Sequence, residues 1–236
     1  MTSGTRSGGS ERRRRDVSRI RAVLFDVDGT LLDTRDAWIA AFDAGLAAVH
    51  RGTVPGSAAA RWIGTPIEVI YERCGLTRAE AAKAIEVFQK VEAESVREGM
   101  RPYPRVPEML ASLGAWKLGA VTNKRRDTTV AALQATGLLP HFQVILGGDS
   151  VPRKKPAPDS VLKAAEGLGL TPSECVVVGD TENDVRAAKD AGARAIGVTW
   201  GYGTRESLEA AGVDHLIETP DALPPLLRAL TPNRAA

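Results

Sequence analysis

The sequence has few cysteines and no long hydrophobic run, and both absences narrow the classes of protein to consider. Its 236 residues include only two cysteines, Cys74 and Cys175, which lack the spacing of metal ligands. We expect a cytoplasmic protein from this low content, although two cysteines still allow one disulfide. No apolar run approaches the ~20 residues that a transmembrane helix needs, so we expect no membrane partner.

Two further features are missing from the chain. There is no internal repeat, and no Gly-x-Gly-x-x-Gly motif follows the first apolar run, which argues against a nucleotide-binding Rossmann enzyme. The remaining composition, 43% hydrophobic and 25% charged, is that of an ordinary globular protein. The chain is therefore long enough for a sizeable core in one or two domains.

Positive charge is concentrated at the amino terminus. Residues 1–21 hold seven arginines and two acidic residues, a balance of +5, so the rest of the chain carries −3 of the total of +2. Residues 1–19 have almost no apolar content and are predicted to be a disordered tail. The arginine run at 12–15 could attract nucleic acid, but we favour a solvated tail and expect no nucleic-acid partner. Export through a twin-arginine signal would need an apolar segment after the arginines, and none follows.

Residues 33–100 have the periodicity of helices. Apolar residues recur at helical spacing over 36–50 and again over 66–73, and a loop is predicted at 51–60 between them. Thr77 and Glu80 have the spacing of a capping box and open a third helix. We therefore predict a small all-helical domain here.

From residue 101 onward, short apolar strands alternate with helices, which is typical of βαβ units and a parallel sheet. The predicted strands are 118–121, 144–146, 175–178, 195–198 and 216–217. With an earlier strand at 23–25, they predict an α/β, doubly wound parallel-sheet core. That core would span residues 20–32 and 101–236, with residues 33–100 inserted as a helical cap after the first strand. In such sheets, ligands bind beyond the carboxyl ends of the strands.

The first strand ends in two carboxylates. Val23-Leu24-Phe25 runs directly into Asp26-Val27-Asp28-Gly29-Thr30. Residues two apart on a strand face the same side, so Asp26 and Asp28 should converge and require a compensating cation. For an isolated pair of aspartates at this spacing, the structural alternative would be that they form Asx turns or cap a helix.

Polar groups also follow the later strands. Thr122-Asn123-Lys124 follows one strand, Lys155 precedes the next helix, and Asp180 and Asp184 follow another strand. Each alone could cap a turn, lie on the surface or support a helix N-terminus. Because these groups occur together and in order at the ends of strands, we predict that they form one shared site.

Together these segments resemble the four motifs of the haloacid dehalogenase superfamily, over nearly the whole chain after the tail. The resemblance implies that Asp26 is a nucleophile that forms an aspartyl-phosphate and that Asp28 is the general acid and base. It also implies that Thr122, Asn123 and Lys155 hold the phosphate. The implied Mg²⁺ ligands are Asp26, the backbone carbonyl of Asp28, and Asp180, with Asp184 acting through a metal-bound water.

The aspartate at position 28 favours phosphoryl transfer over dehalogenation, since carbon–halogen cleavage needs no proton for a leaving alkoxide. The runs Gly147-Gly148-Asp149 and Gly197 to Gly203 resemble the phosphoglycolate phosphatases, which implies 2-phosphoglycolate as substrate. The chain departs from that family at Arg105, where glycine is expected. Arg61 is the candidate for binding the substrate carboxylate, the alternative being an ordinary surface arginine.

Other functions stay open. Helical caps of this size also serve pyrophosphatases, nucleotidases, sugar phosphatases and β-phosphoglucomutase. A non-catalytic regulatory module is the alternative from a different class, but a receiver-type domain would be near half this length and would lack both the insertion and Asp-x-Asp-Gly-Thr. The expected state is a monomer or homodimer.

Overall fold

The computed structural model describes residues 19–231, without the side chains of residues 97–99. The predicted disordered tail, apart from Arg19, and its arginine run lie outside the described residues. No helix within 19–231 is both long enough and apolar enough to cross a membrane.

The eight strands form one large sheet and one small sheet. Their bounds are β1 Ala22–Phe25, β2 Leu32–Asp33, β3 Arg101–Pro102, β4 Lys117–Val121, β5 Val144–Leu146, β6 Cys175–Gly179, β7 Arg194–Val198 and β8 His215–Ile217. The large sheet is parallel throughout, in the order β5-β4-β1-β6-β7-β8. This order reverses direction beside β1, and a crevice for ligands is expected there.

Ten helices accompany the strands in the described residues. They are α1 Arg35–Ala47, α2 Gly56–Ala59, α3 Ile67–Arg73, α4 Arg78–Gly99, α5 Val106–Ser112, α6 Arg126–Ala135, α7 Asp159–Gly167, α8 Glu182–Ala191, α9 Arg205–Ala210 and α10 Leu223–Leu230. Short 3₁₀ turns occur at Ala60–Trp62, Leu139–His141, Pro172–Glu174 and Pro220–Ala222.

β1 is the centre of the core and is covered on both faces. Val23 and Phe25 belong to one apolar cluster with α5, α6 and α10, whereas Ala22 and Leu24 belong to a second cluster with α7, α8 and α9. The side chains alternate because successive strand residues point to opposite faces. The prediction of a doubly wound α/β core is confirmed.

Helices α1 to α4 pack around an apolar cluster of their own, and we call residues 33–100 the helical insert. Phe42 stacks between Trp38 and Tyr71, with ring centroids 5.2 Å apart in each pair. The capping box that opens α4 is present: the Thr77 N–H donates to Glu80 at 2.7 Å, and the Glu80 N–H donates to Thr77 at 3.3 Å. That residues 33–100 form a separate domain stays a prediction.

Two features of the insert differ from the sequence-based expectation. The predicted loop 51–60 contains α2, which begins after Pro55 because the Ala58 N–H donates to the Pro55 carbonyl at 2.8 Å. The insert leaves and re-enters the core through β2 and β3, which pair antiparallel with Asp33 opposite Arg101. Both elements are too short to produce a periodic sequence pattern.

Candidate active site

Asp26 occupies the carboxyl end of the central strand. Its backbone N–H donates to the Val178 carbonyl at 2.9 Å, which extends the pairing of β1 with β6 by one residue. Thr122 follows the neighbouring strand β4, and Asp180 follows β6. All three side chains are buried. The strand order therefore brings together the groups that were predicted to meet.

Lys155 lies between two of the aspartates. Its Nζ is 3.0 Å from Asp26 Oδ1 and 2.5 Å from Asp184 Oδ1, and it donates to the Val121 carbonyl at 2.8 Å. Burial opposes the charged form of this lysine, but the carboxylates of Asp184 and Asp26 outweigh burial and raise its pKa above the ordinary value. Lys155 is thus a fixed positive charge beside Asp26.

Asp26, Asp180 and Asp184 form an acidic cluster. Each offers one carboxylate oxygen, and these oxygens lie within 4.8 Å of one another. The Thr30 hydroxyl donates to Asp180 Oδ1 at 2.9 Å, and the Tyr202 N–H donates to Oδ2 at 2.8 Å. The hydrogen bonds hold the Asp180 carboxylate in a fixed orientation.

Asp184 is more fully engaged than the other two acids. Oδ1 pairs with Lys155, while Oδ2 accepts bonds from the N–H and the hydroxyl of Thr181 at 3.1 and 2.8 Å. A carboxylate with these partners is suited to an indirect role at a cation.

The cluster carries more negative charge than Lys155 neutralises. Burial, with the Asp184 charge adding to it, raises the pKa of Asp180 to about 8. Burial also raises the pKa of Asp26 to about 7, against the lowering effect of Lys155. A set of buried carboxylate oxygens that resists ionisation fits a hard divalent cation, whose charge would favour the ionised forms.

Asp28 faces a cavity between the core and the helical insert. Lys124 Nζ is 3.2 Å from Asp28 Oδ2, while Oδ1 is buried and has no hydrogen-bond partner among residues 19–231. A buried carboxylate oxygen without a donor is costly unless something else reaches it. Asp28 is one of the residues that line the cavity.

One charged residue of this cavity, Glu92, was missed from the sequence, and Lys124 was grouped with the site there but was given no role. Glu92 of α4 is buried, and its Oε1 lies 2.6 Å from Lys124 Nζ. The signal was present, since Glu92 comes four residues after Phe88 and four before Val96, which places it on the same face of α4 as these two buried apolar residues. Lys124 directly follows the predicted Thr122-Asn123 pair.

The two predicted phosphate-binding residues after β4 are placed differently. Thr122 lines the cavity, and its hydroxyl accepts a bond from the Lys124 N–H at 3.3 Å. Asn123 also lines the cavity, but its amide donates to the carbonyls of Gly64 and Lys155, both at 2.9 Å, and accepts from the Lys155 N–H at 2.9 Å. In this arrangement Asn123 ties the helical insert to the Lys155 loop.

The cavity is small, about 50 Å³, and both the core and the insert contribute to its wall. Arg61 is exposed on the Ala60–Trp62 turn and is not part of that wall. The basic residues of the wall come from the core instead: Lys124, Arg125 and Lys154. Its other residues are Asp26, Asp28, Trp38, Gly64, Thr65, Ile67, Phe88, Gln89, Glu92, Thr122 and Asn123.

A larger groove of about 980 Å³ lies at the opposite end of the sheet. Its wall includes Arg21, just before β1, and Lys117, the first residue of β4, but no carboxylate from residues 19–231. Ligands of doubly wound sheets bind at the carboxyl ends of strands, where the acidic cluster lies. We therefore place the active site at the smaller cavity.

Comparison with known proteins agrees with this geometry. A family model described as haloacid dehalogenase-like hydrolase matches residues 23–198. Phosphoglycolate phosphatase from Escherichia coli is 33% identical, in an alignment that covers 88% of this chain and 92% of that protein.

Solved structures are similar over the same range. A predicted phosphatase from Clostridium acetobutylicum superposes with a TM-score of 0.80 at 26% identity, covering 87% of this chain and 97% of the other. CbbY from Rhodobacter sphaeroides, in complex with xylulose-(1,5)bisphosphate, has a TM-score of 0.75 at 27% identity, covering 87% and 96%.

Proposed function

The chain belongs to the haloacid dehalogenase-like hydrolase family, and we propose that this phosphatase uses Mg²⁺ to hydrolyse 2-phosphoglycolate through an aspartyl-phosphate. The mechanism rests on one observation: Lys155 Nζ lies 3.0 Å from Asp26 Oδ1. Both residues are buried, and Asp26 clusters there with Asp180 and Asp184. Asp26 is the only one of these three acids that also lines the cavity.

The chemistry follows from the charges in the site. A phosphate monoester is a dianion, and an attacking carboxylate is repelled by it until that charge is neutralised. Lys155 supplies one positive charge beside Asp26. Mg²⁺, when bound by Asp26, the Asp28 carbonyl and Asp180, supplies two more, with Asp184 acting through a water. Thr122 and Asn123 are the proposed donors to the phosphoryl oxygens.

In the first step, an oxygen of Asp26 bonds to phosphorus while the bond from phosphorus to the leaving oxygen breaks. Asp28 gives its proton to that oxygen, and the alcohol leaves. In the second step, water attacks phosphorus and returns a proton to Asp28, while phosphate leaves and Asp26 is regenerated. Asp28 lines the cavity, and its Oδ1, which has no hydrogen-bond partner among residues 19–231, is the atom that we propose for both transfers.

Two observations support a small substrate. The relative from Escherichia coli carries the name phosphoglycolate phosphatase, and the cavity beneath the helical insert is only about 50 Å³. We propose that residues 33–100 act as a cap over this cavity. The role of Arg61 in binding the substrate carboxylate stays a prediction, and its position outside the cavity wall does not favour it.

A sugar phosphate is the second candidate substrate. It is favoured by the similarity to CbbY, whose solved structure holds xylulose-(1,5)bisphosphate. The core residues would do the same chemistry on either ester, because they contact only the phosphoryl group. The helical insert would make the distinction.

The test is phosphate release by the purified protein with Mg²⁺ or EDTA. The panel contains 2-phosphoglycolate, pyrophosphate, a 5′-nucleotide, hexose and pentulose phosphates, and p-nitrophenyl phosphate. We expect Mg²⁺-dependent release and a preference for 2-phosphoglycolate of ~100-fold in kcat/KM, which is about 2.7 kcal/mol of transition-state binding. Preference for another ester would overturn the proposed substrate. No phosphate release from any of these compounds would overturn the proposal that the protein acts as a phosphatase.

A further inference from the structure

A buried chain of three charges crosses from the helical insert to the core. Glu92 Oε1 on α4 is 2.6 Å from Lys124 Nζ, and Lys124 Nζ is 3.2 Å from Asp28 Oδ2. The side chains are 5%, 1% and 10% exposed, in that order. Among the described residues, the pair Glu92–Lys124 is the one ion pair that joins the insert to a residue in contact with Asp28.

We propose that Glu92 is a positioning residue for catalysis: it holds the Lys124 ammonium against Asp28, so that Asp28 is aimed at the leaving oxygen. The proposal rests on the function given above, in which Asp28 transfers the proton. It assigns to the insert a part in the chemistry as well as in substrate selection.

The geometry explains why Lys124 needs a second partner. A lysine ammonium sits on a flexible stem and has three donors, so a single carboxylate does not fix its position. Glu92 binds it from the insert while Asp28 binds it from the core. Because a lone buried charge is costly, both carboxylates keep Lys124 in place.

Fixing Lys124 in turn fixes Asp28. Oδ2 of Asp28 contacts the ammonium, and Oδ1 is left without a hydrogen-bond partner among residues 19–231. A general acid must lie within hydrogen-bond reach of the atom that it protonates. Without Glu92, Lys124 can turn away, and the Asp28 carboxyl loses the contact that sets its rotation.

A purely structural role for the same ion pair would be to fasten the insert to the core. The two roles differ in how they depend on the leaving group. p-Nitrophenolate is stable without a proton, whereas an alkoxide needs one as it leaves. The first step, which ends when the alcohol leaves and is measured by kcat/KM, should therefore slow for alkyl esters but not for the aryl ester when Asp28 is mispositioned. A loosened insert should slow that step for both esters.

The experiment compares Glu92→Gln with the matched control Glu94→Gln, a change of the same kind at an exposed position of the same helix. Each is assayed with the alkyl phosphate that the wild type hydrolyses best and with p-nitrophenyl phosphate. We expect E92Q to lower kcat/KM by ~30-fold for the alkyl ester and by less than ~3-fold for the aryl ester. E94Q should match the wild type on both.

A double-mutant cycle gives an independent readout. Lys124→Met should show the same leaving-group dependence as E92Q, and the double variant E92Q/K124M should lose no more activity than K124M alone, because both residues act through one contact. The melting temperature of each variant shows that it is folded.

Equal losses on the two esters, no loss in E92Q, or additive losses in the double variant would overturn the proposal. These outcomes are distinct from failure of the proposed function, which would show as a wild type with no Mg²⁺-dependent activity on any alkyl phosphate.

Discussion

The ends of the core strands and the helical insert contribute to the same cavity in different ways. The core supplies a dense set of polar and charged groups at the carboxyl ends of its strands: Asp26, Asp28, Thr122 and Lys124 line the cavity, and Asp180 and Asp184 cluster with Asp26. The insert supplies mainly apolar wall and a single buried acid, Glu92. Under the proposed function, the core carries out the reaction, while the insert selects the ester and holds Asp28 in place.

The largest effect should come from the core. Replacing Asp26 with Asn removes the proposed nucleophile while keeping its shape, so kcat should fall by at least ~10⁴-fold on every ester. The control is Asp36→Asn, an exposed aspartate on α1. Phosphate release with Mg²⁺ checks it, and near wild-type turnover by D26N would remove Asp26 from the mechanism.

Removing the buried lysine should affect both activity and stability. Lys155→Met leaves Asp26 and Asp184 without their shared cation, and breaking a buried ion pair in this way costs about 3 kcal/mol or more. Urea unfolding of the metal-free protein measures it. Lys163→Met at an exposed position is the control. Unchanged stability in K155M would show that the two carboxylates do not depend on Lys155.

The acidic cluster should make the metal-free protein less stable as pH rises. Burial raises the pKa of Asp26 to about 7 and of Asp180 to about 8. Their unfolded values are near 4, so between pH 4 and 8 the folded state keeps protons that the unfolded state has lost, and stability falls.

Melting curves test this pH dependence. The Tm of the metal-free protein should be lower at pH 8.5 than at pH 5.5 by roughly 4 °C or more, and Mg²⁺ should raise the Tm more at pH 8.5 than at pH 5.5. An equal Mg²⁺ effect at both values would mean that these acids do not form the metal site.

A smaller effect is expected at the return from the insert. Arg105 has a φ of 71°, in the left-handed region that favours glycine, and its guanidinium pairs with Asp221 at 3.0 Å on the surface. Arg105→Gly and Arg105→Ala both lose this pair, but only glycine relieves the backbone. The Tm of R105G should exceed that of R105A by about 2–4 °C. A higher Tm for R105A than for R105G would contradict the interpretation that the backbone is strained at position 105.

The smallest effect is expected on the exposed surface of the insert. Arg61 lies outside the cavity wall, so Arg61→Ala should change kcat/KM for 2-phosphoglycolate by less than about twofold. A rise in KM of more than about tenfold would restore Arg61 as the carboxylate ligand. That result would also mean that the insert moves over the substrate.

The sequence allowed the core to be predicted because two signals coincide there. Apolar runs long enough to be buried on both sides mark the strands, and polar residues directly after them mark the strand ends, so Asp26, Thr122 and Asp180 could be grouped from the sequence. Lys155, in the segment between β5 and α7, joined them because the motifs occur together and in order. The glycine departure at Arg105 was also visible, and its positive φ supplies the physical reason for the family preference.

The insert was less predictable for physical reasons. Glu92 interrupts the apolar face of α4, and a single charge in a helical pattern is normally read as exposed; its partner, Lys124, lies 32 residues away in another part of the fold. Helix α2 and strands β2 and β3 are too short for periodicity. The hydrogen bonds of Asn123 to Gly64 and Lys155 likewise join segments whose proximity depends on the tertiary structure.

The aspartyl-phosphate is the central claim, and trapping it tests the account most directly. The protein is mixed with substrate and Mg²⁺, quenched within one turnover, and reduced with borohydride, which converts an acyl phosphate to an alcohol that mass spectrometry of the peptides can locate. The account predicts modification at Asp26 in the wild type and none in D26N. Modification at another aspartate, or rapid phosphate release with no modified peptide, would contradict it.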